Sequence, residues 1–531
     1  MTSPKTFSLD GSAVHELRAN LVRRSCIGDL ATRGAEHFGN RTALVNDGRT
    51  VTYRELDAYS NSVARGLLSA GLRRGDRLAV LAPNSWQFVV TYFACAKTGI
   101  TFLPVNLALS AEEIAFQLAD SSVGTVVASP DNLTKVNLAI SLKSLVIQTI
   151  TIGGNRSAEH DLGSWESLLE RDCAPIEAIV EDADILHCLY TSGTTSNPKG
   201  VLTSHNSVLI AVLSTAIQMR HQRDTSGSVM PIVLPMFHVT ALDALLLPIV
   251  ATGGTAVLYS VFDPNVIADA IEKFEVTHLV LLPSMWEALL TNVNERGTAT
   301  KSLRVGLYAM SPMARERVDA VREAFPNADI VLASGQTETT PASEIQWPGH
   351  QRSKHGAWGT PTLTTDVRIM NSNGDLLDRG MEGEIVYRTP QLMTEYANNA
   401  DANNDAFAHG WFHSGDIGFI DDDGVVWFTD RLKDIVKSGG ENVSSLEVEQ
   451  VILTFPGVLE CAVVGRAHAR WGEAVTAIVV TEDGITVAES DIIEFCKVHL
   501  AGYKVPKQVI AVDTLPKTAT GKIEKHRLRH S

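Results

Sequence analysis

Along "TYRELDAYSNSVARGLLSAGL" the apolar residues Leu56, Tyr59, Val63 and Leu67 recur every three or four positions, which predicts an amphipathic helix. "GDRLAVLAPN" follows, and its apolar run Leu78 to Ala82, bounded by turn residues, predicts a short buried strand. "SWQFVVTYFACAKTG" returns to helix, and "NVIADAIEKFEVTHLVLLP" (265–283) repeats the helix-then-strand order. Such alternation predicts α/β layers built on mostly parallel sheets. The longest uncharged apolar run, "ALLLPIVATGGTAVLYSVF" (244–262), has the length of a membrane span, but Pro248 and Gly253-Gly254 interrupt it. It reads instead as a helix end, a turn and a buried strand, with no membrane span expected.

Past about residue 360 the texture changes, since "TDVRIMNSNGDLLDRGMEGEIVYR" alternates polar and apolar around an Asn-Gly turn, as antiparallel strands do. Beyond Lys433 the elements shorten: a helix over 445–454, a turn at Pro456-Gly457, the strands "ECAVVG" and "AVTAIVV", the helix "SDIIEFCKVHL" and the strand "KQVIAVD". The expected fold class is α/β. A large N-terminal domain, 1–432, carries layered α/β subdomains plus a β-rich subdomain, and a small α+β domain occupies 433–531.

A chain of 531 residues is too long for one ordinary core, which agrees with that division. The formal charge of -16 argues against nucleic acid as a partner, because a phosphate backbone would be repelled. Small anions stay accessible to it through local nests of backbone N–H groups. Six cysteines without a CxxC pair give neither a disulfide framework nor a zinc site, and fit a reducing cytoplasm. The N-terminus "MTSPKTFSLDGSAVHELR" lacks an apolar h-region, so no secretion signal is expected.

Candidate chemistry begins at "LYTSGTTSNPKGV" (189–201). Pro198 stands where a Walker loop needs its second glycine, and Gly200 where it needs a magnesium-binding hydroxyl, so this is not that motif. Thr191, Ser192, Thr194 and Thr195 still offer hydroxyls, Gly193 an unobstructed backbone and Lys199 a cation. Alone, the segment is equally an ordinary polar turn. "SGQTETTP" (334–341) adds the carboxylate of Glu338, suited to a magnesium bridging phosphates, or else a surface turn. "GWFHSGDIGFIDDDGVVWFTDRLKDIVKSGGEN" (410–442) places Asp416 and Arg431 in polar breaks, and its run Asp421 to Gly424 reads as a hairpin turn. "LPKTATGKIEKHRLR" closes the chain with Lys522 in a basic tail, by itself an ordinary solvated terminus.

Taken together in this order, these segments resemble the superfamily of adenylate-forming enzymes, which includes acyl-CoA synthetases, adenylation domains and beetle luciferases. The resemblance runs from "TYRELDAYSNSVARGL" to "TGKI". It implies activation of a carboxylate with ATP and Mg2+, giving an acyl adenylate and pyrophosphate, followed by transfer to a thiol. By resemblance, Thr191 to Lys199 would cradle the β- and γ-phosphates, with Thr337 also at the ATP, and Glu338 would hold the magnesium. Asp416 and Arg431 would bind the ribose hydroxyls, and Lys522 would bridge the carboxylate and the α-phosphate. Lys433 matches a hinge about which the small, mobile domain swings, while Lys437, Gly439 and Gly440 would line a pantetheine tunnel for coenzyme A. His238 matches an aromatic gate beside the acyl pocket, although its residue type alone suits a core histidine better.

Departures from the family pattern are Ser196 for a glycine, Ser334 for an aromatic residue, and Ala309-Met310 for two glycines. No aspartate follows Phe237, which argues against an α-amino acid substrate. The pocket candidates His238, Val239, Thr240, Ala309, Met310, Thr339, Thr340 and Pro341 are apolar or hydroxylated and favour a hydrophobic acyl or aryl acid. The sequence ends shortly after Lys522, so no fused carrier domain is expected and free coenzyme A is the simplest acceptor. A free-standing enzyme loading a separate carrier protein is the alternative, and a non-catalytic acyl-adenylate-binding protein a third reading. A homodimer is compatible with each.

Overall fold

The computed structural model describes residues 11–153, 161–169, 172–191, 198–223, 227–309, 313–468, 470–482, 484–485, 487–517 and 523–529. Two compact units partition the chain. One holds 1–191, 198–365 and 389–403, the other 192–197, 366–388 and 404–531.

The larger unit has three sheets among its described residues, and the expected alternation is what builds them. Helix Tyr53–Ser69 begins where Thr52 and Glu55 form a reciprocal capping box, then buries Leu56, Val63 and Leu67. An eight-stranded sheet runs, in spatial order, Glu395–Tyr396, Lys199–Ser204, Ile185–Thr191, Thr101–Pro104, Arg77–Leu81, Thr125–Ala128, Gln148–Thr151 and Asp161–Ser164. It is parallel from Ile185–Thr191 onward and antiparallel at the other end. The apolar helix Trp86–Thr98 packs Phe88 and Tyr92 edge-to-face on Phe102 of that sheet.

A second sheet pairs His278–Leu281, Val305–Ala309 and Asp329–Gly335 in parallel, then Ala342–Gln346 and Thr360–Pro361 antiparallel. The third pairs Val229–Ile232, Thr255–Leu258 and Thr42–Asn46 in parallel, with Arg49–Thr52 antiparallel at its edge. The long apolar run resolves as predicted: helix Leu247–Thr252, a left-handed Gly253 that ends it, and strand Thr255–Leu258. Among the described residues no helix is long and apolar enough to cross a membrane.

In the smaller unit the alternating stretch gives an antiparallel sheet of Asp366–Met370, Gly383–Arg388, Phe412–Ile420 and Val426–Arg431. Asp421 to Gly424 is the hairpin turn expected, its Asp421 Oδ1 accepting from the N–H groups of Asp423 and Val425. The C-terminal elements are helix Ser445–Ile452, strands Val458–His468 and Gly472–Thr481, helix Glu489–His499 and strand Gln508–Ala511. Strands Val436–Ser438 and Glu441–Val443 complete their sheet. Gly439 and Gly440, at φ 65° and 89°, make the two-residue turn between those strands, so glycine there is demanded by the hairpin itself.

Candidate functional site

Thr191 and Lys199 face each other across an antiparallel ladder, so the hydroxyl-rich segment is flanked by two paired strands, Ile185–Thr191 and Lys199–Ser204. A Walker loop opens onto a helix N-terminus, whereas here the following residues, Lys199–Ser204, are a strand. The Thr191 hydroxyl donates to the Lys199 carbonyl at 3.4 Å, closing the base of the loop. Ser192, Gly193, Thr194, Thr195 and Ser196 lie outside the described residues, as do Met310 and Lys522.

Lys199 Nζ lies 4.5 Å from the centroid of the Tyr396 ring. The Tyr396 hydroxyl donates to Glu338 Oε1 at 2.8 Å. A cation and a carboxylate are thus gathered around one tyrosine from three distant parts of the chain. The backbone enforces this: Tyr396 pairs with Val201, the Ala397 N–H donates to the Gly200 carbonyl, and the Met393 N–H to the Glu338 carbonyl. Tyr396 was not legible in the sequence, because nothing local in "LMTEYANN" marks it and only the pairing of a two-residue edge strand brings it in.

Glu338 sits in the short 3-10 turn Thr337–Thr339, half-buried and so open on one side. That turn is shaped by Gly335, where φ is 157° and an added Cβ would lie 1.7 Å from the Pro341 carbonyl oxygen. Thr339 is fully buried and its hydroxyl donates to Pro341 O at 2.8 Å while accepting from Ser343 Oγ. Its hydrogen bonds hold the turn. Gln391 Nε2 donates to the Thr339 and Ala342 carbonyls and fixes the same segment from outside. Thr340 is buried in a left-handed conformation with φ 56°.

His238 is half-buried, with its ring tilted against Phe237 at 4.6 Å between centroids. Val239 is buried and Thr240 begins the π-helix Thr240–Leu246. Ala309, half-buried, ends strand Val305–Ala309 opposite Ala333, one residue before Ser334.

In the smaller unit Asp416 and Arg431 are directly opposite across the hairpin, and Arg431 Nε meets Asp416 Oδ1 at 2.6 Å. Asp416 is buried, with its N–H donating to Ser414 Oγ, while Arg431 stays partly exposed. Lys433 follows in a turn closed by the Asp434 N–H donating to the Arg431 carbonyl. Its side chain still reaches solvent, yet the surrounding protein, and then the guanidiniums of Arg431 and Arg529, bring its ammonium down to about 8 against the opposing pull of Asp434. Arg529 donates to the Lys433 carbonyl and to Asp434 Oδ1. Lys437 is exposed, and its N–H donates to Glu473 Oε2.

Near that hairpin an open groove of about 730 Å³ is lined by His468, Trp471, Lys497, Pro506 and Lys507 among others. The Gly439 N–H donates to the Trp471 carbonyl. His468 stacks on Trp471 at 4.4 Å, and Lys507 Nζ lies 5.5 Å from the Trp471 ring. This basic, aromatic groove was also missed in the sequence, since its residues come from several elements separated along the chain. Among the described residues no cluster of three or more His, Cys, Asp or Glu could hold a metal by itself.

Comparison with known proteins shows the family to which the chain belongs. Residues 31–397 match the AMP-binding enzyme family and residues 447–522 the AMP-binding enzyme C-terminal domain. The chain is 33% identical over 508 residues to a feruloyl-CoA synthase from Amycolatopsis sp, covering 96% of this chain and 99% of that one. It is 35% identical over 485 residues to the long-chain-fatty-acid–CoA ligase FadD13 of Mycobacterium tuberculosis, covering 90% and 92%. The o-succinylbenzoate CoA synthetase of Bacillus subtilis, solved with its acyl-adenylate intermediate, superposes with TM-score 0.83 at 28% identity, covering 95% and 98%. The same enzyme has been solved with ATP and a magnesium ion. The chain belongs to the AMP-binding enzyme family, in the acyl-CoA synthetase branch of the adenylate-forming superfamily, and is an AMP-forming acid–thiol ligase.

Proposed function

We propose that this chain joins a hydrophobic acyl or aryl carboxylic acid to coenzyme A at the expense of ATP, through an acyl adenylate. The observation that carries the reading is the Lys199–Tyr396–Glu338 constellation at the start of the strand that follows the hydroxyl-rich segment. In the first step a carboxylate oxygen attacks the α-phosphorus and the bond to pyrophosphate breaks. Both reactants are anions, so the step is slow unless fixed cations meet the charge that develops. Lys199, oriented by the Tyr396 ring, serves the β- and γ-phosphates together with the hydroxyls of Thr191, Thr194 and Thr195, and Thr337 adds a hydroxyl beside Glu338. Lys522 serves the carboxylate and α-phosphate oxygens.

Glu338 suits magnesium, because it is half-exposed and tethered through one oxygen, and this ion is commonly held by one or two carboxylates plus substrate phosphates. When bound, magnesium neutralises phosphate charge. Asp416 and Arg431 present a preformed pair to the ribose hydroxyls. The acid lies against His238, Val239, Thr240 and Ala309, where each buried methylene contributes about 0.8 kcal/mol. Thr339, with its hydroxyl engaged in the turn, shapes this pocket through its backbone.

In the second step the thiol sulfur, having lost its proton, attacks the acyl carbon, and the acyl–oxygen bond breaks to release AMP. The Trp471 groove offers a π-face and the cations Lys497 and Lys507, which suits the phosphorylated nucleotide end of coenzyme A. Lys437 and the Gly439-Gly440 turn, hydrogen-bonded to Trp471, would guide the pantetheine arm. We place the boundary of a small mobile domain at Lys433, so that 433–531 pivots against 1–432 between steps. Six free cysteines, five of them buried, suit a cytoplasmic setting.

Purified chain incubated with ATP, magnesium and a panel of acids should release pyrophosphate, and thioester should form only when coenzyme A is added. Thioester on an added carrier protein, with none on coenzyme A, would replace this acceptor by the carrier. No pyrophosphate with any acid would refute the reading.

A further inference from the structure

The larger unit holds a buried pair that neither reacting step uses. His187 lies in mid-strand Ile185–Thr191, and Asp243 in the π-helix Thr240–Leu246. Both side chains are 0% exposed, and His187 Nε2–H donates to Asp243 Oδ2 at 2.9 Å. Two polar residues in otherwise apolar runs, "ILHCL" and "ALDALLL", are thus matched across 56 positions.

The pair is half-satisfied. Among the described residues His187 Nδ1 and Asp243 Oδ1 have no hydrogen-bond partner, and neither do the buried Tyr92 hydroxyl and Thr203 Oγ1. Thr203 is the residue opposite His187 in the ladder. A buried ionic or polar pair of this kind is weak as a stabiliser compared with well-packed apolar residues of the same volume. Its placement is what distinguishes it. The strand of His187 ends at Thr191, which opens the phosphate loop, and alternation puts 187, 189 and 191 on one face. The helix of Asp243 begins at Thr240, just past His238 and Val239 of the acyl pocket. That helix is wound as a π-helix, a strained form that recurs at functional positions.

We propose that His187 and Asp243 are positioning residues that lock the acyl-pocket helix to the strand carrying the phosphate loop, holding the acid in line with the α-phosphate. The proposal rests on the carboxylate-activating reading above. It requires that the pair serve adenylate formation alone, because the thiol step starts from an acyl adenylate whose two halves are already joined.

The test uses the full chain and three variants: Asp243→Asn, which keeps a hydrogen bond to His187, Asp243→Leu, and the double variant His187→Leu/Asp243→Leu, which restores an apolar match. Pyrophosphate release, KM for ATP and for the acid, thioester formation from supplied acyl adenylate, and Tm are measured on each. Pyrophosphate release by the wild type reports separately on the underlying reading. Expected for Asp243→Leu and the double variant is a loss of at least tenfold in kcat for pyrophosphate release. KM for ATP and thioester formation from supplied adenylate should stay within twofold, and Asp243→Asn should recover most of the rate. If the double variant does not fold, Asp243→Asn against His187→Asn carries the same comparison, the first expected to keep most of the adenylation rate and the second to lose at least a few-fold in that step only. Wild-type adenylation in the double variant would overturn the proposal, as would parallel losses in both half-reactions tracking a lowered Tm.

Discussion

Replacing Tyr396 by phenylalanine removes one hydrogen bond and leaves the ring. The hydroxyl donates to Glu338 Oε1 at 2.8 Å, and the ring faces Lys199 Nζ at 4.5 Å. Hydrogen bonds to charged groups contribute about 1.5–3 kcal/mol. Glu338 is half-buried, so water recovers part of the lost bond and the lower end, about 1.5 kcal/mol, applies. That corresponds to roughly a tenfold fall in kcat/KM for pyrophosphate release. Tyr396→Ala also removes the cation–π contact, about 0.5–1 kcal/mol at a partly exposed site, bringing the loss to roughly thirty- to seventyfold. The assay is continuous pyrophosphate release at saturating acid, with ATP and magnesium varied and Tm as the control for folding. Tyr396→Phe should weaken the apparent magnesium dependence while thioester formation from supplied adenylate is spared. Unchanged kcat/KM and magnesium dependence in Tyr396→Phe would refute the claim that this bond positions Glu338. Equal losses in the two variants would show that the ring does nothing for Lys199.

Lys522→Ala should abolish adenylate formation yet largely spare thioester formation from supplied acyl adenylate, and equal loss of both half-reactions would contradict its assigned role. Lys433→Pro restricts the backbone at the proposed hinge and at Leu432, and should impair the thiol step selectively; wild-type rates in both steps would move the hinge elsewhere. Burial pushes His205 down to about 3 and His278 to about 4, and burial followed by the stacked His278 lowers His221 as well. On unfolding each takes up a proton below its ordinary value of about 6.5, so the unfolded state binds more protons and stability falls as pH drops from about 6.5 toward 4. The urea midpoint should be lower at pH 5.5 than at pH 7.5, with a shallower fall in His278→Gln; an unchanged midpoint would contradict this assignment.

How much of this was legible in the sequence depends on the range of the interaction. Helix Tyr53–Ser69, the break at Gly253 and the turn at Asp421 to Gly424 follow from local spacing and local hydrogen bonding, and all were predicted. Asp416 and Arg431 were found as separate polar breaks, and their ion pair is a consequence of hairpin register. Thr339 shows the opposite case: its residue type suited a pocket wall, but its hydroxyl is consumed in holding the turn. Tyr396, Trp471 and the His187–Asp243 pair carry no local signal, because each gains its meaning only when strands or helices far apart in sequence are brought together. The hydroxyl-rich segment after Thr191 lies between these cases, since its residue types were readable while the antiparallel strand Lys199–Ser204 after it was not.

The proposed reaction forms its acyl adenylate by direct attack of carboxylate on the α-phosphorus. Its most direct test supplies an accepted acid with both carboxylate oxygens replaced by ¹⁸O, together with ATP, magnesium and coenzyme A, and locates the label by mass spectrometry. One ¹⁸O should appear in AMP and none in pyrophosphate, with the other retained in the thioester. Label in inorganic phosphate, formed alongside ADP, would contradict it.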